Sequence, residues 1–543
     1  MHRLHSFAAL SPVTFLERSG RAFPNRQAIV HPDGVITFSE LVGRARRLAQ
    51  ALTRFGVKRG DKIAVLSENS PQVIEIHFGV PAVGGVLVML NPWLPSADIT
   101  YMLAFCEAKV LIVEASFLDK LSDADKQQLA DLKQILVLGE VATASTNTLS
   151  YEQCLIDTDD RIPLDVNIED ELDPLTINFT SGTTGRPKGV MCSHRAAYLN
   201  ALGQSFMLSL GRGGRYLWSL PMFHVNGWGH IWTNVAVGST QVVLPGRTIR
   251  GKEASLIKLI PEYGITHLCG APRLVRALTE SPDDKSAFAG ITITTGGAAP
   301  SPDLISTLEA MQVHFIHQYG LNETLGPYVV CEEQEDWLPL SVLERAQKRA
   351  RQGIATLHAG TGLRVVDDAM QDVAQDGNTL GEVVMSGNTV ALGYYKNPEA
   401  TEKAFKDGWF HSGDMAVVHP DGYLEIRDRI KDLIYVETDY GWENISSSEI
   451  ENALCRYQGV RDAAVISVAA EATSAALPVL VAFVEPHRDQ HLTAESLFEQ
   501  CARELAIYKR PQRIFLSELP KTATGKVRKD LLVTDAINRL QHT

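Results

Sequence analysis

The sequence predicts an α/β fold. The expectation is a large N-terminal domain of stacked α/β subdomains with a β-barrel-like subdomain, followed by a small mobile α+β C-terminal domain. Three observations predict it. Strand-like runs and helical patterns alternate through residues 1–175, as in parallel-sheet proteins. From about Gly381 the texture changes to short strands and tight turns. The last stretch has a helix–strand alternation of its own. A chain of 543 residues also exceeds one ordinary hydrophobic core. The expected boundaries are an N-terminal domain over 1–428, a hinge at 429–432, and a C-terminal domain over 433–543.

The elements follow in order. ELVGRARRLAQALTRFG (40–56) places apolar residues three and four apart and stops at Gly56, which predicts a helix. KIAVLS (62–67), KVLIVE (109–114) and LTINF (175–179) are short buried-strand runs. HLCGAP, ITITTGG and GEVVMSG read as strands ending in glycine, where parallel sheets place ligands. LGYYKNP, DGWFHSGD and HPDGYLEIRD make up the turn-rich section. The charge-dense RDRIKD (427–432) marks the joint. Ser446-Ser-Ser-Glu449 fits a capping box, with Ile450 and Leu454 at helical spacing behind it. AAVISVA and PVLVAFVEP are strands, and AESLFEQCARELAIY (494–508) is a helix.

Composition excludes several function classes. Hydrophobic content of 45% and charged content of 21% are those of a globular enzyme. A net charge of −13 argues against a nucleic-acid surface, which needs a basic stripe. Seven cysteines are scattered without a CxxC pair, which indicates reduced thiols rather than a disulfide framework or a zinc site. The most apolar run, Val86–Leu90, is too short to span a membrane, and Pro92 follows it. The N-terminus lacks the apolar block of a signal peptide, and QHT is not a peroxisomal address. A cytoplasmic location is expected, and both a monomer and a homodimer fit.

The chemistry starts at Thr180-Ser181-Gly182-Thr183-Thr184-Gly185-Arg186-Pro187-Lys188-Gly189, directly after LTINF. Glycines free the backbone, four hydroxyls donate hydrogen bonds, and Lys188 adds charge, so the loop can wrap phosphate oxygens. It lacks the GxxxxGK[ST] of a P-loop NTPase.

This loop resembles the phosphate loop of the adenylate-forming superfamily: acyl-CoA synthetases, nonribosomal-peptide adenylation domains and luciferases. Six further segments occur in that family's order. PMFHVNGWG (221–229) resembles its acyl-pocket segment, TTGGAAP (294–300) its adenine strand, and YGLNET (319–324) its adenine turn. HSGD (411–414) resembles its ribose motif, with RDRIKD as hinge and PKTATGK (520–526) as C-terminal lysine loop. The resemblance implies a ligase that uses ATP and Mg²⁺ to join a carboxylic acid to AMP. The acyl group then passes to a nucleophile.

Residue by residue, the resemblance implies nucleotide contacts from Thr180 to Gly185, Lys188, Gly297, Ala298, Tyr319, Gly320, Asp414 and Arg429. The physical readings agree. The Asp414 carboxylate can accept both ribose hydroxyls, although a turn-capping Asp is its bland alternative. Tyr319 beside Gly320 offers a flat face for adenine. Glu323 can hold Mg²⁺, a hard ion that takes oxygen ligands. Asn322 stands where the family has Thr, and its amide cannot rotate as a hydroxyl does. Lys526 is the expected catalytic residue, because attack on the α-phosphate brings two anions together. Lys521 and Lys529 nearby read as solvated. Lys431 matches the hinge about which the small domain turns between half-reactions. Phe223, His224, Trp228 and Gly296 line the acyl pocket, with core packing as the alternative for Trp228. Their apolar character implies a hydrophobic acid rather than acetate.

The acceptor turns on DRIKDLIYVETDYGWENISS. The family pattern is four residues shorter and has glycine where this chain has Trp442. Tyr440, Gly441 and Trp442 thus line the acceptor channel, where a glycine strand lets pantetheine pass. An indole there favours a small amine over CoA, with Glu437 or Asp439 steering the ammonium group. Amide formation in the manner of a coronafacate ligase is the leading expectation. A CoA thioester is the alternative, with a non-catalytic nucleotide-binding protein third.

Overall fold

In a computed structural model of the chain, the structure describes residues 8–121, 132–140, 147–156, 158–164, 170–180, 187–245, 256–280, 285–430, 434–438, 441–445, 447–468, 479–487, 490, 492–522 and 527–541. Two compact units divide the chain. One comprises residues 1–363 with 385–410, the other residues 364–384 with 411–543.

The first unit is built on two large sheets. One runs Gly393–Tyr394, Lys188–Ser193, Pro174–Thr180, Val86–Leu90, Lys62–Leu66, Val110–Glu114, Gln134–Leu138, Thr148–Ser150. Its strands from Pro174–Thr180 to Thr148–Ser150 are parallel, and Ile63 pairs with Leu87 on one side and Val110 on the other. Every residue of Val86–Leu90 is buried, as parallel strands covered on both faces require. The second sheet has Arg215–Leu217, His267–Cys269, Thr292–Thr295 and His314–Leu321 as parallel neighbours, and Gly326–Val330 closes antiparallel on the last of them.

The helix expected over 40–56 runs Phe38–Arg54. It starts earlier because Thr37 caps it: Glu40 N donates to Thr37 Oγ1 at 3.2 Å, and Thr37 N donates to Glu40 Oε2 at 2.7 Å. That reciprocal pair satisfies two donors that the first turn leaves open. Phe38, Leu41, Val42, Ala45, Leu48, Ala49 and Leu52 form its buried face. Gly56 follows in a left-handed conformation, φ 73°.

The second unit is α+β. Trp409–Val418 and Leu424–Arg429 pair antiparallel, and a hairpin of Ile434–Thr438 with Gly441–Ile445 follows. Val460–Val468, Val479–Pro486 and Arg513–Leu516 form a three-stranded sheet. On one side Ile450, Leu454, Val465 and Leu497 pack together, and on the other Ala464, Phe483, Leu532 and Ala536 do. The helix expected over 494–508 stops at Glu504, because Leu505 turns extended and Ile507–Lys509 forms a separate 3-10 turn. These layers are the α/β architecture that the sequence predicts. Among the described residues no helix is long and apolar enough to cross a membrane.

Candidate active site

Two strand ends and one turn assemble the polar part of the site in the first unit. Thr180 ends its strand opposite Lys188, and its Oγ1 donates to Lys188 O at 3.4 Å. The phosphate-type loop is therefore the connection of a hairpin whose base is pinned. Ser181, Gly182, Thr183, Thr184 and Gly185 lie outside the described residues. Gly189 is required at the base for packing: a Cβ there would sit 2.8 Å from Ile177 Cγ2.

Lys188 Nζ lies 5.0 Å from the centre of the Tyr394 ring, and Tyr394 is paired with Val190 on the next strand. The Tyr394 phenol donates to Glu323 Oε1 at 2.8 Å. Glu323 sits in the 3-10 turn Asn322–Thr324, tied down by Ala391 N donating to Glu323 O at 2.7 Å. Burial, with the Glu323 charge added, pushes the Tyr394 phenol far above its ordinary range, so it stays a donor. The structure thus brings Lys188 and Glu323 around a residue that sequence reasoning missed. Tyr394 stands in LGYYKNP, where only its place after Gly393 hinted at a close strand contact.

Asn322 contributes its carbonyl, which accepts from Cys192 Sγ at 3.7 Å. Burial raises that thiol to about 12, so it is inert. Thr324 is fully engaged: Oγ1 accepts from Leu321 N at 2.9 Å and donates to Gly326 O at 2.6 Å. Tyr319 and Gly320 lie at the end of their strand, where the register shifts between them. Gly320 admits no side chain, since a Cβ would lie 1.9 Å from Gly326 O. Gly296, Gly297 and Ala298 follow the strand Thr292–Thr295, with Gly296 buried and the next two exposed.

The apolar part of the site is a left-handed turn. Val225, Asn226, Gly227, Trp228 and Gly229 have φ of 49°, 53°, 58°, 58° and 79°. This turn presents the half-buried Trp228 to two glycines. A Cβ on Gly296 would lie 2.5 Å from Trp228 Cη2, and one on Gly326 would lie 3.2 Å from Trp228 Cα. Phe223 is buried and His224 half-buried beside the turn.

In the second unit, Asp414 is 4% exposed and pairs across the strands with Arg429, whose Nε lies 3.1 Å from Asp414 Oδ1. Glu382 ties down the strand residues just before Asp414, accepting from Gly413 N at 3.0 Å and lying 2.7 Å from His411 Nδ1. Lys431, Tyr440 and Lys526 lie outside the described residues. Gly441 and Trp442 belong to a regular strand, Trp442 opposite Glu437. Lys521 and Lys529 are not the solvated lysines expected. Lys521 Nζ lies 2.6 Å from Asp462 and 2.8 Å from Glu485, and Lys529 Nζ lies 2.8 Å from Glu451. Both are drawn in by carboxylates distant in sequence, which no local pattern reveals.

A divalent ion fits beside Glu323 only with outside help. Among the described residues no group of three or more His, Cys, Asp or Glu side chains could hold a metal. Mg²⁺ commonly takes one or two carboxylates and completes its shell with water and substrate phosphates, so a single Glu suits it.

Comparison with known proteins matches this layout. Residues 16–395 match the AMP-binding enzyme family, and residues 449–526 match the AMP-binding enzyme C-terminal domain. The chain is 37% identical over 538 residues to 4-hydroxybutyrate–CoA ligase 2 of Metallosphaera sedula, covering 98% of this chain and 95% of that protein. It is 36% identical over 563 residues to the peroxisomal benzoate–CoA ligase of Arabidopsis thaliana, covering 97% and 95%. Among solved structures, the anthranilate CoA ligase AuaEII in complex with anthranoyl-AMP superposes with a TM-score of 0.85 at 25% identity, covering 98% of each chain. The chain belongs to the AMP-binding enzyme family, as an acyl-adenylate-forming carboxylate ligase of the acyl-CoA ligase branch.

Proposed function

We propose that the chain activates a compact hydrophobic carboxylic acid with ATP and passes the acyl group to CoA as a thioester. The observation that supports a small acid is the close approach of the Trp228 indole to Gly296, which would close an acyl pocket there to long chains. The names of the relatives support the class: 4-hydroxybutyrate, benzoate and acetate ligases, all forming CoA thioesters.

In the first half-reaction a carboxylate oxygen attacks the α-phosphorus, and pyrophosphate leaves. The loop from Thr180 to Lys188 holds the outer phosphates. Glu323, held by Tyr394, would supply a carboxylate for Mg²⁺, and the bound ion would supply positive charge against the phosphates. By the family resemblance, Tyr319, Gly320, Gly297 and Ala298 are the adenine residues of the first unit, and Asp414 and Arg429 the ribose residues of the second. Lys526 stabilises the charge gathered between acid and phosphate. In the second half-reaction the CoA sulfur attacks the acyl carbonyl, its proton passes to solvent, and AMP leaves. Lys431 is the hinge between the two.

The amine acceptor expected from Trp442 gives way to this alternative. The relatives named form thioesters, and the added residues fall in a regular hairpin: Ile434–Thr438 pairs with Gly441–Ile445 in unbroken register. Such a hairpin can lengthen without entering a channel. The test is mass spectrometry of the protein incubated with ATP, Mg²⁺, a panel of short and aromatic acids, and either CoA or mixed amino acids. Acyl-CoA is expected. An amide product without thioester would overturn the reading.

A further inference from the structure

We infer that His77, Asn226 and Asn178 form a positioning relay that sets which acids the pocket accepts, by holding the left-handed turn that carries Trp228. The inference rests on the proposed role of Trp228 as the pocket wall.

The relay is continuous and its proton positions are determined. His77 Nδ1 lies 2.7 Å from Val73 O, a carbonyl that only accepts, so Nδ1 carries the hydrogen. Burial holds the imidazole down to about 4, so the ring is neutral and Nε2 is an acceptor. Asn226 Nδ2 lies 3.1 Å from that Nε2 and donates to it. Asn226 Oδ1 then accepts from Asn178 Nδ2 at 2.8 Å. His77 and Asn226 are fully buried and Asn178 is 2% exposed, so water does not compete for these bonds.

The relay acts on strained backbone. Val225, Asn226 and Trp228 all have positive φ, and a β-branched or bulky residue rarely adopts it. Asn tolerates this region best, and here its side chain is the one bolted at both ends. One bolt is the helix Pro71–Ala82, which carries His77. The other is the strand Pro174–Thr180, which carries Asn178 and leads into the phosphate-type loop. The His77 ring also packs edge-on against Trp232, centroids 5.5 Å apart, on the helix that follows the turn. Without the Asn226 amide the turn loses its only side-chain tie to these two elements among the hydrogen bonds described. Trp228 is then free to leave Gly296, and the pocket deepens.

The experiment is ATP–pyrophosphate exchange across straight-chain acids from acetate to decanoate, which reads adenylation alone and is independent of the acceptor. Wild type is expected to favour the short acids; a preference for long ones would refute the pocket-wall reading itself. Asn226→Ala is expected to raise KM for short acids at least tenfold, to leave KM for ATP within twofold, and to shift relative kcat/KM toward octanoate and decanoate. In a Trp228→Ala background the same change should shift the profile no further, because the relay works through the indole. A uniform loss over all acids and ATP, or an equal shift in both backgrounds, would overturn the relay. If Asn226→Ala does not fold, His77→Leu carries the same test: it removes the acceptor of the Asn226 amide and must shift the same profile.

Discussion

Tyr394 and Glu323 lie 71 positions apart in sequence, yet the phenol donates to the carboxylate at 2.8 Å while Lys188 stands over the ring. One aromatic side chain thus fixes an anion and accommodates a cation, the two charges that a magnesium–triphosphate complex meets.

Tyr394→Phe should therefore weaken Glu323 as a ligand and leave the fold intact. The ring and its contact with Lys188 remain, and only the hydrogen bond to a charged group is lost, roughly 1.5–3 kcal/mol. Adenylation at limiting Mg²⁺ should fall roughly tenfold or more by that estimate, with partial recovery at high Mg²⁺. Unchanged Mg²⁺ dependence in pyrophosphate exchange would separate Tyr394 from the metal.

Gly296→Ala forces a methyl to 2.5 Å from Trp228 Cη2 and 2.7 Å from Gln318 O. The backbone oxygen cannot swing aside, so overpacking should cost about 1–3 kcal/mol. The urea midpoint should drop, and KM should rise more for the acid than for ATP. Equal effects on both substrates would place Gly296 outside the acyl pocket.

Lys526→Ala should lower acyl-AMP formation by about 10²- to 10³-fold with little change in melting temperature, because it removes charge stabilisation at the transferring phosphorus. Near wild-type exchange would move that role to another cation.

Five histidines, four buried and His358 half-buried, give the protein a marked acid sensitivity. Burial holds His77, His194, His317 and His358 down to about 4 and His230 to about 3, against an ordinary 6.5. Between those values the unfolded chain binds protons that the folded chain refuses. Stability is thus fully present above 6.5 and declines as pH falls toward 4, by up to about 1.4 kcal/mol per pH unit for each histidine. Urea titrations at pH 7, 6 and 5 should show midpoints falling steadily. A flat profile would mean that these imidazoles gain protons in the folded state.

Much of this was legible in the sequence, and for local reasons. The strands at 62–66, 110–114 and 479–486 announce themselves as apolar runs, because buried parallel or central strands need apolar residues on both faces. The expectations at Thr180, Lys188, Glu323 and Asp414 rest on short segments whose chemistry is contiguous. What escaped is non-local. Tyr394 matters because two strands pair, Lys521 because Glu485 faces it, and Asn226 because His77 and Asn178 meet it from elements 149 and 48 positions away. Nor does a period of two or of 3.6 foretell five successive left-handed residues in VNGWG, of which only two are glycine.

That turn also constrains how the pocket can change over time. The left- and right-handed regions of backbone space are separated by forbidden ground, so a turn made wholly in one cannot creep toward the other by small steps. Drift in acid preference within such a scaffold is then confined to side-chain exchange at positions such as 228 and 296. A backbone solution, if one arises, must come as a single jump.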